Sequence, residues 1–192
     1  MTIISRRSLF HLLSGLSIVI AALFLPRTVL LVVLGVAAAA FLSIDLIRLR
    51  VPRLNRRFVQ LLMPFLKRNE AHRLTGSSYM LAASLIVLLA FPRDIAVVAI
   101  CFLAVGDVSA ALIGGYIGKM KIFGKTLEGA LACYISCVAA GLILYQVGLN
   151  ISVLAVVIGA AGATIAEVLP LLIDDNFTIP LLSGLAMIIT QI

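Results

Sequence analysis

Seven apolar runs crowd this chain and leave one long polar stretch between them. They cover about residues 9–25, 28–47, 75–91, 95–117, 127–147, 151–171 and 178–192. A helix needs roughly 17–25 mostly apolar residues to cross a bilayer. The third and seventh are short, so their ends are soft. Charged residues make up 12% of the chain and its mean hydropathy is +1.23, whereas soluble domains carry about 25% charged residues. The expected fold is therefore all-α, a polytopic integral membrane protein of about seven transmembrane helices.

Charge sets the orientation. With the N-terminus cytoplasmic, thirteen of the Lys and Arg residues lie inside and only Arg27 and Arg93 outside, a strong positive-inside bias. The C-terminus then falls outside. Arg6 and Arg7 before an apolar run look like the start of a signal peptide. No small-x-small cleavage site follows, and Pro26-Arg27 leads into the next run, so residues 9–25 are expected to be the first span. The net charge of +7 reflects this topology and contact with anionic lipid, not a nucleic-acid partner.

The polar stretch, 48–74, holds Arg48, Arg50, Arg53, Arg56, Arg57, Lys67, Arg68 and Arg73. Leu54, Phe58, Leu61, Leu62 and Phe65 share a helical face within it, which predicts a piece lying along the cytoplasmic surface. No internal repeat or low-complexity linker is visible. A single membrane-embedded domain, 1–192, is expected, with two N-terminal spans (1–50), a basic connector (51–74) and a five-span core (75–192). Cys101, Cys133 and Cys137 fall within spans and read as packing residues. The sequence leaves the oligomeric state open.

Ionisable groups inside these runs need a reason to be there, because a membrane-buried charge costs a few kcal/mol. Asp107 is the first. Asp107, Ala111, Gly114, Gly115 and Gly118 share one helix face, so a carboxylate heads a strip with little side-chain bulk. Gly114-x-x-x-Gly118 alone is also a helix-packing motif. A basic turn follows, Lys119-Met120-Lys121-Ile122-Phe123-Gly124-Lys125-Thr126. Its spacing is not that of a P-loop, which has four residues between its first Gly and Gly-Lys-Thr; here five separate Gly118 from Gly124. The chemistry still suits phosphate: glycines admit the backbone, Lys119, Lys121 and Lys125 supply charge, and Thr126 caps a helix whose N-terminus favours an anion. Glu128 stands in that first turn, a place the helix dipole favours for an acid.

Glu167 is a further carboxylate within an apolar run, and Asp174, Asp175 and Asn176 follow it. Asp174 through Pro180 also fits a tight turn with a helix starting at Pro180. Asp107, Glu128, Glu167 and Asp175 are hard oxygen donors, which suits Mg²⁺ with substrate phosphates and not zinc. Arg7 and His11 are one helical turn apart, Glu70 precedes His72 and Arg73, and Asp45 with Arg48 reads as a simple i, i+3 pair.

Taken in order, these pieces resemble the lipid-alcohol kinases related to dolichol kinase, phytol kinase and the CTP-dependent diacylglycerol kinases. The resemblance runs over about residues 70–184. It rests on Gly106-Asp107-x-x-Ala110, Gly114-x-x-x-Gly118, Lys119-x-Lys121, Gly124-Lys125-Thr126-x-Glu128-Gly129, Ala166-Glu167 and Asp175-Asn176-x-Thr178-x-Pro180. Arg7 and His11 look like the family's Arg/Lys…His pair, and Glu70-x-x-Arg73-x-Thr75-Gly76 like the segment before its third helix. The resemblance implies transfer of a phosphoryl group from CTP or ATP to a lipid alcohol (a polyprenol or dolichol, phytol or geranylgeraniol, or diacylglycerol), with Mg²⁺, at a site facing the cytoplasm. In a prokaryote the location would be the cell membrane.

Within that scheme Lys119, Lys121 and Lys125, with Gly114, Gly118, Gly124 and Thr126, are expected to hold the nucleotide. Asp107, Glu128 and Asp175 are expected to hold metal. Asp107 and Glu167 are both candidates for the base, and Arg7, His11, Asp45, Glu70, Arg73 and Asn176 for support. A phosphatidate cytidylyltransferase shares the Gly-Asp and Lys-Thr-x-Glu-Gly elements, but its late Pro-Gly-His-Gly-Gly run is absent. A small transporter is the other alternative, since buried carboxylates also mark transport paths.

Overall fold

The computed structural model describes residues 5–190, and Arg68 by its backbone alone. The described chain is all-helical apart from one small hairpin. Its helices are α1 (Arg6–Phe24), α2 (Arg27–Arg50), α3 (Pro52–Leu62), α4 (Gly76–Ala90), α5 (Arg93–Ile117), α6 (Leu127–Gln146), α7 (Val153–Val168) and α8 (Asp175–Ile189). Two short 3₁₀ turns, Met63–Phe65 and Arg68–Ala71, link α3 to α4. Strands β1 (Lys121–Ile122) and β2 (Lys125–Thr126) pair between α5 and α6.

Each of the seven apolar runs is one helix. Four of them, α1, α2, α5 and α6, are long and apolar enough to cross a membrane; α4, α7 and α8 are shorter apolar helices. The last run begins earlier than expected, at Asp175, and its residues 191–192 lie outside the described part. Pro180 therefore does not start α8 but sits inside it. Lacking an N–H, it cannot bond the Asn176 carbonyl one turn back.

Helix α5 is the centre of the bundle, with every residue from Ile95 to Ala104 buried. Its neighbours approach closely because small residues line the contacts, as membrane packing requires. Gly15 of α1 lies against Ala104. Gly106 lies against Cys133 and Cys137 of α6, where a Cβ would stand 2.8 Å from the Cys137 sulfur. Both cysteines are fully buried. At the other end Arg93 donates to the carbonyls of Ala22 (2.6 Å) and Leu25 (2.8 Å), closing the C-terminus of α1.

The connector begins with α3, none of whose residues is fully buried. Within its apolar face, Phe58 is half-buried under the Arg48 guanidinium at 4.6 Å, while Leu61 stays 78% exposed. Asp45 and Arg48 are more than a helix-surface pair. Both are buried. Asp45 accepts from the Thr75 amide (2.7 Å), the Thr75 hydroxyl (3.0 Å) and the Ser78 hydroxyl (2.6 Å). Arg48 donates to Asp45 (2.6 Å), Asn55 (2.8 Å) and the Arg73 carbonyl (2.6 Å). This network ties α2, α3 and the start of α4 into one unit.

Candidate active site

Five pieces of chain, the hairpin, the connector, α5, α7 and the start of α8, bring charged side chains to one place. The hairpin is the first. Phe123 and Gly124 form its two-residue turn, both with positive φ (49° and 85°), the backbone that twists two strands into a tight hairpin. Thr126 caps α6 by accepting from the Gly129 amide at 3.2 Å. The result turns Lys125 inward, while Lys119 and Lys121 remain exposed.

Lys125 meets Glu167 at the end of α7 (2.7 Å) and Asp175 at the start of α8 (3.4 Å). From the connector, Lys67 meets Asp175 (2.8 Å) and Asp174 (3.4 Å). Asp174 caps α8, accepting from the Asn176 amide at 3.1 Å. Asp107, buried on α5, faces His11 of α1, whose Nε2 is 3.7 Å from its carboxylate. The cluster thus holds four carboxylates against two lysines.

Burial by itself would lower the ammonium pKa of Lys67 and Lys125. The carboxylates overturn that and hold both above the usual lysine range: Asp175 and Asp174 for Lys67, Asp175 and Glu167 for Lys125. The charge of Asp107 adds to both. Asp174 is pushed up to about 6, first by burial and then by Asp175 beside it. Its folded pKa thus exceeds the unfolded one, so its contribution to stability is present below the ordinary carboxylate range and is lost as pH rises through about 6. Asp174→Asn keeps the cap and removes the titration. Thermal unfolding between pH 4 and pH 7 should therefore be flatter for the variant than for the parent. An unchanged pH profile would contradict this.

Two cavities flank the cluster. One, of about 410 Å³, is mainly apolar and lies among α1, α2, α3 and α4. Phe10 and Phe65 meet edge to face at 5.7 Å beside it, and His11, Asp45, Gly76 and Asn176 reach its wall. The other, of about 260 Å³, is polar and includes Lys67, Arg73, Lys125, Glu167, Asp174 and Asp175. Glu70 lines both. Its carboxylate accepts from the Lys67 amide (3.1 Å) and the Gly76 amide (3.0 Å), so it pins the connector to α4 between the cavities.

Several expected site residues stand elsewhere. Glu128 accepts from the Lys119 amide at 3.0 Å and from the Met120 amide; it clips the loop after α5. Asp107 is ten residues back along that helix, about 15 Å by helical rise, so the expected sharing of one ion by Asp107 and Glu128 is not what the structure shows. Gly114 and Gly118 abut Thr126, and Gly114 also Gly129, so they serve the α5–α6 contact. Gly115 faces open space. Conversely, Lys67 had no sequence signal beyond being one of many connector cations.

Among the described residues no three His, Cys, Asp or Glu side chains form a ready metal cage. The donor set fits Mg²⁺ in its usual mode, one or two carboxylates completed by phosphate oxygens and water. Glu167 Oε2 is buried with no hydrogen-bond partner among the described residues.

The chain is similar to an uncharacterized protein of Rickettsia prowazekii, 28% identical over 182 residues, which covers 92% of this chain and 89% of that one. It is also similar to a CTP-dependent diacylglycerol kinase 1 of Eremothecium gossypii, 27% identical over 170 residues. That match covers 76% of this chain and 54% of the kinase, so the chain spans about half the kinase's length. No family model and no solved structure matches the chain. The distant kinase similarity suggests the lipid-kinase family that the motifs resemble.

Proposed function

We propose that the protein transfers the terminal phosphoryl group of CTP or ATP to the hydroxyl of a membrane lipid alcohol. The observation that carries this is the pairing of cavities: an apolar one suited to a lipid and a polar one lined by lysines and carboxylates, meeting at Glu70. The similarity to a CTP-dependent kinase supports CTP as donor.

In this reading Lys67 and Lys125 leave their carboxylate partners for the phosphates of the nucleotide. Lys119 and Lys121, exposed on the hairpin, add attraction at the mouth. Glu167 and Asp175, freed of the lysines, would hold Mg²⁺. When bound, the ion would neutralise charge on the transferring phosphoryl group. Asp107 stands on the acceptor side, beside His11, and takes the proton of the lipid hydroxyl. The lipid oxygen then forms its bond to the γ-phosphorus as the bond to the β–γ bridging oxygen breaks, releasing a nucleoside diphosphate. A phosphorylated acceptor fits less well, because the acidic Asp174–Asp175 segment would repel a second phosphate.

The reading includes seven spans with the N-terminus cytoplasmic. Helices of 15 or 16 residues, α4, α7 and α8, would cross in company with longer neighbours and locally thinned bilayer. Cysteines placed at Pro92 and Ile122 test this: the first should label only from outside and the second only from inside. The opposite pattern would overturn the orientation and the cytoplasmic site. The activity itself is tested by offering purified protein a panel of diacylglycerol, polyprenol and phytol with CTP or ATP. Nucleoside diphosphate formed only with a lipid alcohol supports the kinase. Pyrophosphate formed with phosphatidate would replace it with a cytidylyltransferase.

A further inference from the structure

We propose that His11 and Asn176 form the seat of the acceptor hydroxyl; this rests on reading the apolar cavity as the lipid's place. Both residues line that cavity, from α1 and α8. His11 Nε2 and Asn176 Oδ1 are each buried with no hydrogen-bond partner among the described residues, and Asn176 is only 3% exposed. An unmet buried polar atom costs roughly 1–3 kcal/mol. Two of them on the wall of one largely apolar cavity point to a ligand that completes both.

The chemistry of the pair selects that ligand. A carboxamide oxygen accepts only, and an imidazole nitrogen donates or accepts according to tautomer. A hydroxyl both donates and accepts, so it satisfies the two atoms together. A fully ionised phosphate has no proton for the Asn176 oxygen, and an ether or hydrocarbon satisfies neither need in full. The seat also lies where the reaction needs it. The 3.7 Å between His11 Nε2 and Asp107 is too long for a hydrogen bond, so Asp107 stands beside the seat and takes the hydroxyl's one proton when the O–H turns from Asn176 to it. Glycine at position 76 contributes by leaving room: a Cβ there would run into the Asn176 side chain.

The test compares lipids differing only in the hydroxyl. Dioctanoylglycerol is set against propanediol dioctanoate, and geranylgeraniol against its hydrocarbon analogue, in competition binding to the full chain in nanodiscs. The intact protein should prefer the hydroxyl member of at least one pair by about tenfold or more. His11→Ala and Asn176→Ala should each reduce that preference to near one while leaving affinity for the deoxy member unchanged, which also shows that the fold survives. His11→Gln, whose amide still donates and accepts, should restore much of it. No preference in the intact protein, or a preference that survives both alanine variants, would overturn the seat. Phosphoryl transfer is measured on the same samples. A hydroxyl preference without transfer would sink the kinase reading alone, and transfer without a preference would sink the seat alone.

Discussion

Asp107→Asn should lower turnover by about 10² to 10⁴, the range a general base contributes, while nucleotide binding and folding persist. The asparagine has nearly the same shape, so Gly106 and Val108 keep their packing on either side. It removes a charge from the interior of a helix bundle, and that should not weaken insertion. What is lost is the proton acceptor beside His11. Lys67 and Lys125 keep Asp174, Asp175 and Glu167 as partners, so the donor side stays assembled. Steady-state assays at saturating nucleotide, with a thermal melt of the same sample, make the comparison. A fully active variant, or one inactive only because it unfolds, would return Asp107 to a packing role.

The largest expected loss of stability is at Asp45, on the wall of the apolar cavity. Asp45→Ala leaves the Arg48 guanidinium buried without its counter-ion and strips the Thr75 amide and two hydroxyls of their acceptor. Breaking a buried pair from one side costs about 3–5 kcal/mol. The start of α4 and the connector should loosen together, since Arg48 also holds Asn55 and the Arg73 carbonyl. The double change Asp45→Ala with Arg48→Met should recover much of the loss, because the unpaired charge is gone. Unfolding in detergent by heat or denaturant measures both variants. An Asp45→Ala protein as stable as the parent would show that the network contributes little.

How much of this was legible in the sequence follows from how local each signal is. Apolar runs became helices with ends shifted by a few residues, because hydrophobic length is written in consecutive residues. Thr126 as a cap was readable for the same reason. The Asp45–Arg48 pair was not, since an i, i+3 pair looks alike on a surface and in a core; its partners, Thr75 and Ser78, are some thirty residues away. Glu128 looked like a site residue because it follows three lysines, but the backbone amides of the loop claim its carboxylate. Lys67 was hidden among connector cations, and only the fold sets it against Asp175. Gly114 and Gly118 were open to both a packing and a nucleotide reading, and their contact with Thr126 supports packing.

Label position in the nucleotide tests the central claim most directly. The purified protein is given CTP labelled either at the γ-phosphate or at the α-phosphate, with a lipid alcohol in mixed micelles and Mg²⁺. The account predicts that the γ label appears in a phosphorylated lipid, the α label stays in CDP, and pyrophosphate is absent. An α label carried into a lipid product, or no label entering lipid either from CTP or from γ-labelled ATP run in parallel with any alcohol in the panel, would contradict it.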